Sequence, residues 1–96
     1  MASSAPQTMS FAVAGPIVRA DLPGLCARVR RLLENSDADL ALCDVSHVAA
    51  DAVTVDALAR LQLAARRHGC RVVLRHSSSE LRQLVGLMGL GDVLVE

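Results

Sequence analysis

The chain contains no tryptophan, no tyrosine and no lysine, and Phe11 is its only phenylalanine. Proteins that bind single-stranded nucleic acid stack bases on aromatic side chains, and nucleic-acid binders usually carry an excess of basic residues. Here ten arginines balance ten acidic residues, so the formal net charge at pH 7 is zero. The composition therefore predicts no nucleic-acid partner. Because every basic residue is arginine and alanine and valine are abundant, we also expect a GC-rich coding sequence and a bacterial source.

The sequence also has no long apolar run and no basic, apolar leader. No run approaches the roughly 18–20 residues that cross a bilayer, and residues 1–10 are mostly polar. We therefore expect a cytoplasmic protein that inserts no segment into a membrane. A length of 96 residues with 52% hydrophobic residues allows one packed domain. Residues 1–9 are predicted to form a flexible tail, and residues 10–96 a single domain.

The cysteines and histidines do not follow any pattern typical of a disulfide framework or a metal site. The cysteines are odd in number and contain no CxxC pair, so reduced and mostly buried thiols are expected. No histidine is paired with another histidine or a cysteine at zinc-like spacing. We predict no metal and no cofactor at these residues, which are Cys26, Cys43, Cys70, His47, His68 and His76.

One short loop contains the residue types of a catalytic triad, namely Ser46, His47 and Asp51. Side chains so close in sequence seldom converge into a nucleophile, a base and an orienting acid. No glycine-rich turn that could form an oxyanion hole accompanies them. We therefore predict no catalytic residues and no enzymatic activity.

Short apolar runs alternate with segments of helical periodicity. Strands are predicted at residues 11–15, 17–19, 40–43, 71–75 and 93–95, and helices over about 22–34, 54–68 and 77–88. Gly15 and Pro16 separate the first two strands as arms of a hairpin. Thr54 is predicted to cap the second helix, and Ser77 to open the third through a capping box with Glu80. This order predicts βαβ units, a largely parallel sheet and right-handed crossovers.

The segment from Leu42 to Gly69 resembles the central pattern of the STAS (sulfate transporter and anti-sigma-factor antagonist) domain family. In that pattern a strand ends Asp-Leu-Ser, and a loop leads to Asp-Ser-Ser-Gly and a helix closed by glycine. Here the strand ends Asp44-Val45-Ser46, and Asp51 lies 18 positions before Gly69. Residues 71–74, 79–82 and 88–94 are similar to later family motifs, and residues 11–17 to the opening strand pair. The resemblance covers residues 10–95 and implies an α/β fold, a small mixed sheet of about four to five strands with helices packed against it.

Many members of the family act as a switch, in which a partner kinase phosphorylates the serine just after the motif aspartate. The corresponding stretch here is Asp51-Ala52-Val53-Thr54, so both serine positions are apolar. Ala52 has no hydroxyl to accept a phosphate, which predicts a degenerate member of the family. Thr54 and Ser46 are the nearest residual phosphoacceptors. An alternative alignment places residues 56–57 at the motif, and the second of these is likewise alanine.

The outer face of the second helix is the predicted partner-binding surface. A solvated face explains its charged residues, because Asp56 and Arg60 have the spacing of a helical ion pair. It does not explain Leu63, an apolar side chain between two arginines, which is an arrangement common at interfaces. The resemblance also implies a partner surface around this loop and helix. The predicted partner-binding residues are Asp51, Ala52, Val53, Thr54, Asp56, Arg60, Leu63 and Arg67.

Three functions are compatible with these features. The first is a non-enzymatic regulatory domain that binds an anti-sigma factor or a related kinase-like protein. The second is an accessory subunit that binds the ATPase of a lipid-type ABC transporter. The third is a homodimeric scaffold domain in a larger assembly.

Overall fold

A computed structural model describes residues 7–94 of the chain. Strands and helices alternate along this part of the sequence, as the periodicity predicts. They are β1 (Thr8–Gly15), a short 3-10 helix (Arg19–Asp21), α1 (Leu22–Glu34), β2 (Leu40–Val48), α2 (Ala52–Arg67), β3 (Arg71–Arg75) and α3 (Ser79–Leu87). The first strand begins three residues earlier than predicted, at Thr8, and residues 1–6 of the predicted tail lie outside the described residues.

The three strands form one parallel sheet in the order β1-β2-β3. The β2 strand is central, with Leu40 aligned to Thr8 of β1 and to Arg71 of β3. The predicted α/β class and parallel sheet are therefore confirmed. The predicted count of four to five strands in a mixed sheet is wrong, because the described residues form three strands, all parallel.

The second arm of the predicted hairpin, at residues 17–19, does not form. Gly15 has a φ of 84°, a conformation that costs glycine little, and Pro16 follows it. The chain then turns directly toward α1 instead of returning along β1. Ile17 is buried in the core, so its apolar side chain is explained by packing and not by strand pairing.

The last predicted strand, at residues 93–95, is also absent from the described residues. The carbonyl of Leu90 accepts hydrogen bonds from the N–H groups of Val93 and Leu94, at 3.0 and 2.8 Å. The chain therefore turns here, and Leu94 packs into the core. Val95 lies outside the described residues.

The hydrophobic core lies on one side of the sheet, where all three helices contribute to it. The buried core includes Val13, Ala41, Cys43, Val72 and Leu74 from the sheet and Val29, Leu58, Leu61, Leu81 and Val85 from the helices. The alternate strand residues face the opposite side of the sheet and are exposed or half-buried. The apolar spacing of the predicted helices also places Leu32 and Met88 on buried faces, but each is 41% exposed. Within residues 7–94, no helix has the length and apolar character needed to cross a membrane.

Two helix starts differ from the prediction. The α2 helix begins at Ala52 and is capped by Asp51, whose backbone is extended with φ −137° and ψ 169°. Thr54 is thus inside the first turn, and the prediction that it caps the helix is wrong. The α3 helix is capped by Ser78, whose Oγ accepts a hydrogen bond from the N–H of Leu81 at 3.1 Å. A cap precedes the first helical residue, so the cap is Ser78 and not Ser77.

Candidate functional site

The beginning of α2 presents a small apolar residue at the carboxyl edge of the central strand. Asp51 Oδ1 accepts a hydrogen bond from the N–H of Thr54 at 2.8 Å, and this bond is the main cause that lowers the pKa of the Asp51 carboxyl. Ala52 follows at the first helical position and is exposed, whereas Val53 is half-buried. The position that the STAS resemblance assigns to the phosphoacceptor is therefore open to solvent, but it has only a methyl group.

The two residual hydroxyls have opposite environments. Thr54 is fully buried, and its Oγ1 has no hydrogen-bond partner among the described residues. This hydroxyl lies near enough to Asp51 to contribute to the lowered pKa of that carboxyl, but not in hydrogen-bonding geometry. Ser46 is exposed at the end of β2, where its backbone N–H donates to Asp44 Oδ1 at 2.9 Å. Of the two, only Ser46 is accessible in this conformation.

The middle of the predicted surface is a small network of ion pairs around Asp56. Asp56 Oδ1 lies 3.2 Å from Arg60 Nε, which confirms the pair predicted from helical spacing. Asp56 Oδ2 lies 3.1 Å from Arg19 Nη1, a contact from the 3-10 helix that the sequence did not predict. These partners, Arg60 first, lower the pKa of the Asp56 carboxyl. Both arginines are largely exposed, so each pair adds only about 0–1 kcal/mol of stability.

The far end of the surface is apolar and basic. Leu63 is 57% exposed, and together with Arg67 it lines a groove between α1 and α2. The α2 helix has 16 residues, so the surface extends over about 24 Å at 1.5 Å per residue. The structure thus places residues 51–53 at one end of α2 and Leu63 and Arg67 near the other. Among the predicted surface residues, Thr54 is fully buried and the half-buried Val53 also packs against the core.

The residues that resemble a triad are not joined by hydrogen bonds. The Asp51 carboxylate is occupied with the cap of α2, and the bond that Ser46 makes, to Asp44 Oδ1, comes from its backbone N–H. Across residues 7–94, no cluster of three or more His, Cys, Asp or Glu side chains could hold a metal ion.

The three cysteines are free thiols in different surroundings. Cys43 and Cys70 are buried, and Cys26 is half-buried in the groove between α1 and α2. Burial raises the pKa of the Cys43 thiol to about 12 and also raises that of Cys70. Thiolate is the reactive form, so both buried thiols are protected by inaccessibility and by protonation.

Titration of the native protein with Ellman's reagent near pH 8 is expected to report one fast thiol out of three. The fast thiol is Cys26, because the other two become accessible only on unfolding. Cys26→Ser should abolish the fast phase, and in denaturant the two remaining thiols of this variant should react. A fast phase that persists in Cys26→Ser would contradict this assignment.

A buried glutamine, which the sequence analysis missed, joins α2, β3 and the C-terminal segment. Gln62 Nε2 donates to the carbonyls of Val72 and Val93 at 2.9 and 2.8 Å, and its Oε1 accepts from the Val72 N–H at 2.9 Å. The N–H of Arg71 donates to the backbone carbonyl of Asp39, the residue before β2, so the backbone groups of Arg71 face β2. Because successive residues of a strand direct their backbone groups to opposite sides, those of Val72 face the outer edge of β3. The Gln62 amide therefore pairs with that edge as a neighbouring strand would. The signal in the sequence is its position four residues after Leu58, on the inner face of α2.

The parallel sheet, the helices on one side and the exposed beginning of α2 after the central strand define an α/β domain with the STAS fold. A solved structure with this fold is similar to the chain: the anti-sigma factor antagonist SpoIIAA in its unphosphorylated form. The TM-score is 0.67 at 15% sequence identity, over 98% of this chain and 83% of that one. No protein-family model and no curated protein matches the sequence significantly. The similarity confirms the α/β fold of the STAS type that the resemblance implied, although the sheet has three strands in the described residues and not four to five.

Proposed function

We propose that the chain is a non-enzymatic, cytoplasmic regulatory domain that binds a kinase-like anti-sigma factor. It docks through the beginning and the outer face of α2, and it needs no change of phosphorylation there. The likeness in fold to an anti-sigma factor antagonist supports this class of function.

The observation that carries the proposal is the exposed alanine at the first position of α2. The location fits a docking contact, because it lies at the carboxyl edge of the central strand and is not covered by other described residues. Its chemistry does not fit a phosphate switch, because a methyl group cannot be phosphorylated. The nearest hydroxyl on the same turn belongs to Thr54 and is buried.

Docking at this end of α2 then depends on shape. Ala50 and Ala52 are small and exposed, so a partner can approach the backbone closely. The Asp51 carboxylate already accepts one N–H of the first turn and stabilises the positive end of the helix. The docking surface therefore never carries a phosphate charge at this position. Binding is controlled in another way, for example through the amount of partner protein present.

Ala52→Glu is expected to weaken partner binding by at least about tenfold, because a charge buried against a partner without a counter-charge costs several kcal/mol. The same charge is favourable at the N-terminal end of a helix, so the domain should remain folded. The measurement is affinity capture from the native host with quantitative mass spectrometry, followed by titration of the purified partner.

Gln83→Glu is the matched control, because it introduces the same charge at an exposed position of α3. It should leave the captured partner unchanged. Equal binding by Ala52→Glu and wild type would remove this end of α2 from the docking surface. A transporter ATPase captured in place of a kinase-like protein would replace the proposed partner. A phosphate mapped to Ser46 or Thr54 by intact-mass analysis would overturn the absence of a phosphate switch.

A further inference from the structure

Positive charge is concentrated on two helices of a chain whose net charge is zero. Six of the ten arginines lie in α1 and α2, at positions 28, 30, 31, 60, 66 and 67. The same helices contain two acidic residues, Glu34 and Asp56. Asp56 is already paired with Arg60 and with Arg19 from outside these helices. The outer surface of α1 and α2 is therefore basic, and the balancing acidic residues lie elsewhere.

A groove of about 720 Å³ runs between α1 and α2 within this basic surface. Its apolar part includes Leu22, Cys26 and Leu63. Leu63 is 57% exposed and therefore available for contact with an apolar group of a partner. Arg30 of α1 and Arg60 and Arg67 of α2 contribute to the lining, against one acidic lining residue, Glu34 of α1, so the rim of the apolar part is net basic.

The dimensions and chemistry of the groove favour one type of occupant. Both helices connect parallel strands, so they run in roughly the same direction and leave a channel along their length. An amphipathic helix binds such a channel by its apolar face. Acidic residues beside that face would meet Arg30 and Arg67, and charge complementarity of this kind selects partners and speeds association.

We propose that the groove between α1 and α2 binds an acidic amphipathic helix of the partner protein. This inference rests on the proposed function, in which the outer face of α2 is a protein-binding surface. It adds α1 as the second wall, and it assigns the acidic chemistry of the partner segment. Single-stranded nucleic acid fits less well, because no phenylalanine, tyrosine or tryptophan is among the described residues that line the groove.

The test uses a fluorescently labelled synthetic helix of about 18 residues, with leucine at helical spacing and glutamate beside it. The control peptide has lysine at every glutamate position. The acidic peptide is expected to bind at least about tenfold more tightly than the basic one by fluorescence anisotropy, and added salt should weaken its binding. Its binding should also slow the reaction of Cys26 with Ellman's reagent, because this thiol lines the groove.

Leu63→Asp should reduce the affinity for the acidic peptide by at least about tenfold, since it places a repulsive charge on the apolar part of the groove. Leu87→Asp is the matched control, because Leu87 is an 84% exposed leucine on α3, away from the groove. It should bind as wild type does. Equal effects of the two variants, or equal binding of the acidic and basic peptides, would overturn the proposal.

Two further outcomes identify a wrong occupant. The first is that the wild-type protein binds anionic vesicles or a single-stranded oligonucleotide but not the acidic peptide, and that Leu63→Asp abolishes this binding. That result would overturn the assignment of a helix as the occupant. The Ala52→Glu capture experiment addresses the other end of α2. Partner capture that depends on Ala52 but not on Leu63 would overturn the groove proposal and leave the proposed function standing.

Discussion

Gln62→Leu is expected to lower the free energy of unfolding by about 3 kcal/mol, because it leaves three backbone groups without their partner. These groups are the N–H and carbonyl of Val72 and the carbonyl of Val93. Leucine retains most of the side-chain volume, so little of the loss comes from a cavity. For a domain of this size, the change corresponds to a fall in Tm of about 15 °C. The measurement is urea unfolding at pH 7, monitored by circular dichroism.

Gln83→Leu is the control for this experiment, because Gln83 is exposed on α3. A surface change of this kind should alter stability by no more than about 0.5 kcal/mol. If Gln62→Leu were equally mild, the amide would not hold the edge of β3 in solution.

Gln62→Glu separates hydrogen bonding from packing. In its charged form the carboxylate cannot donate to the two carbonyls, so at a pH above its pKa the variant should be at least as unstable as Gln62→Leu. Burial raises the pKa of such a carboxyl, and the protonated form donates one hydrogen bond again. Its deficit relative to wild type should therefore shrink as the pH falls through that raised pKa. Each comparison is made with wild type at the same pH, because wild type itself loses stability in acid as carboxyls with lowered pKa values, such as Asp51 and Asp56, become protonated.

Thr54 is expected to respond in opposite directions to two substitutions. Thr54→Val removes a buried hydroxyl that has no hydrogen-bond partner in the described residues, and should stabilise the domain by about 1 kcal/mol. The lost attraction of the hydroxyl to the Asp51 carboxylate is smaller, because that carboxylate is exposed and screened by water. Thr54→Asp places a carboxyl in the core without a counter-charge and should destabilise by more than about 3 kcal/mol.

Thermal unfolding of the two variants at pH 7 provides the measurement, with Ser46→Asp as the exposed comparison. Ser46→Asp should unfold close to the wild-type temperature. A tolerated Thr54→Asp would show that the first turn of α2 opens easily, and it would return Thr54 to the list of accessible phosphoacceptors.

The order of helices and strands was predictable because it depends on local periodicity. Continuous apolar runs indicate β2 and β3, and steps of three and four residues indicate the helices. The same reasoning failed at residues 17–19 and 93–95. There Ile17 and Leu94 are apolar because they pack in the core, and a short apolar triplet does not distinguish this from strand pairing.

The site was predicted in part. The predicted helix began at about Thr54, with Asp51 and Ala52 in the loop before it, whereas in the structure Asp51 caps α2 and Ala52 is its first helical residue. The cap was assigned wrongly to Thr54, because several polar residues near a helix start can act as caps and only the backbone conformation selects one. Gln62 was missed because its partners lie 10 and 31 residues away in the sequence. The α1 wall of the groove likewise depends on tertiary packing.

The Gln62 amide also has a consequence for self-association. Each free edge of a sheet is a template for another strand, and a sheet with two such edges can grow into an open filament. In the described part of this chain, the Gln62 amide hydrogen-bonds both the N–H and the carbonyl of Val72 on the outer edge of β3. The β1 strand has the other edge, and it contains no charged residue over Thr8–Gly15. Within the described residues, Gln62 thus withholds the Val72 backbone from any strand of another chain that approaches this edge of β3.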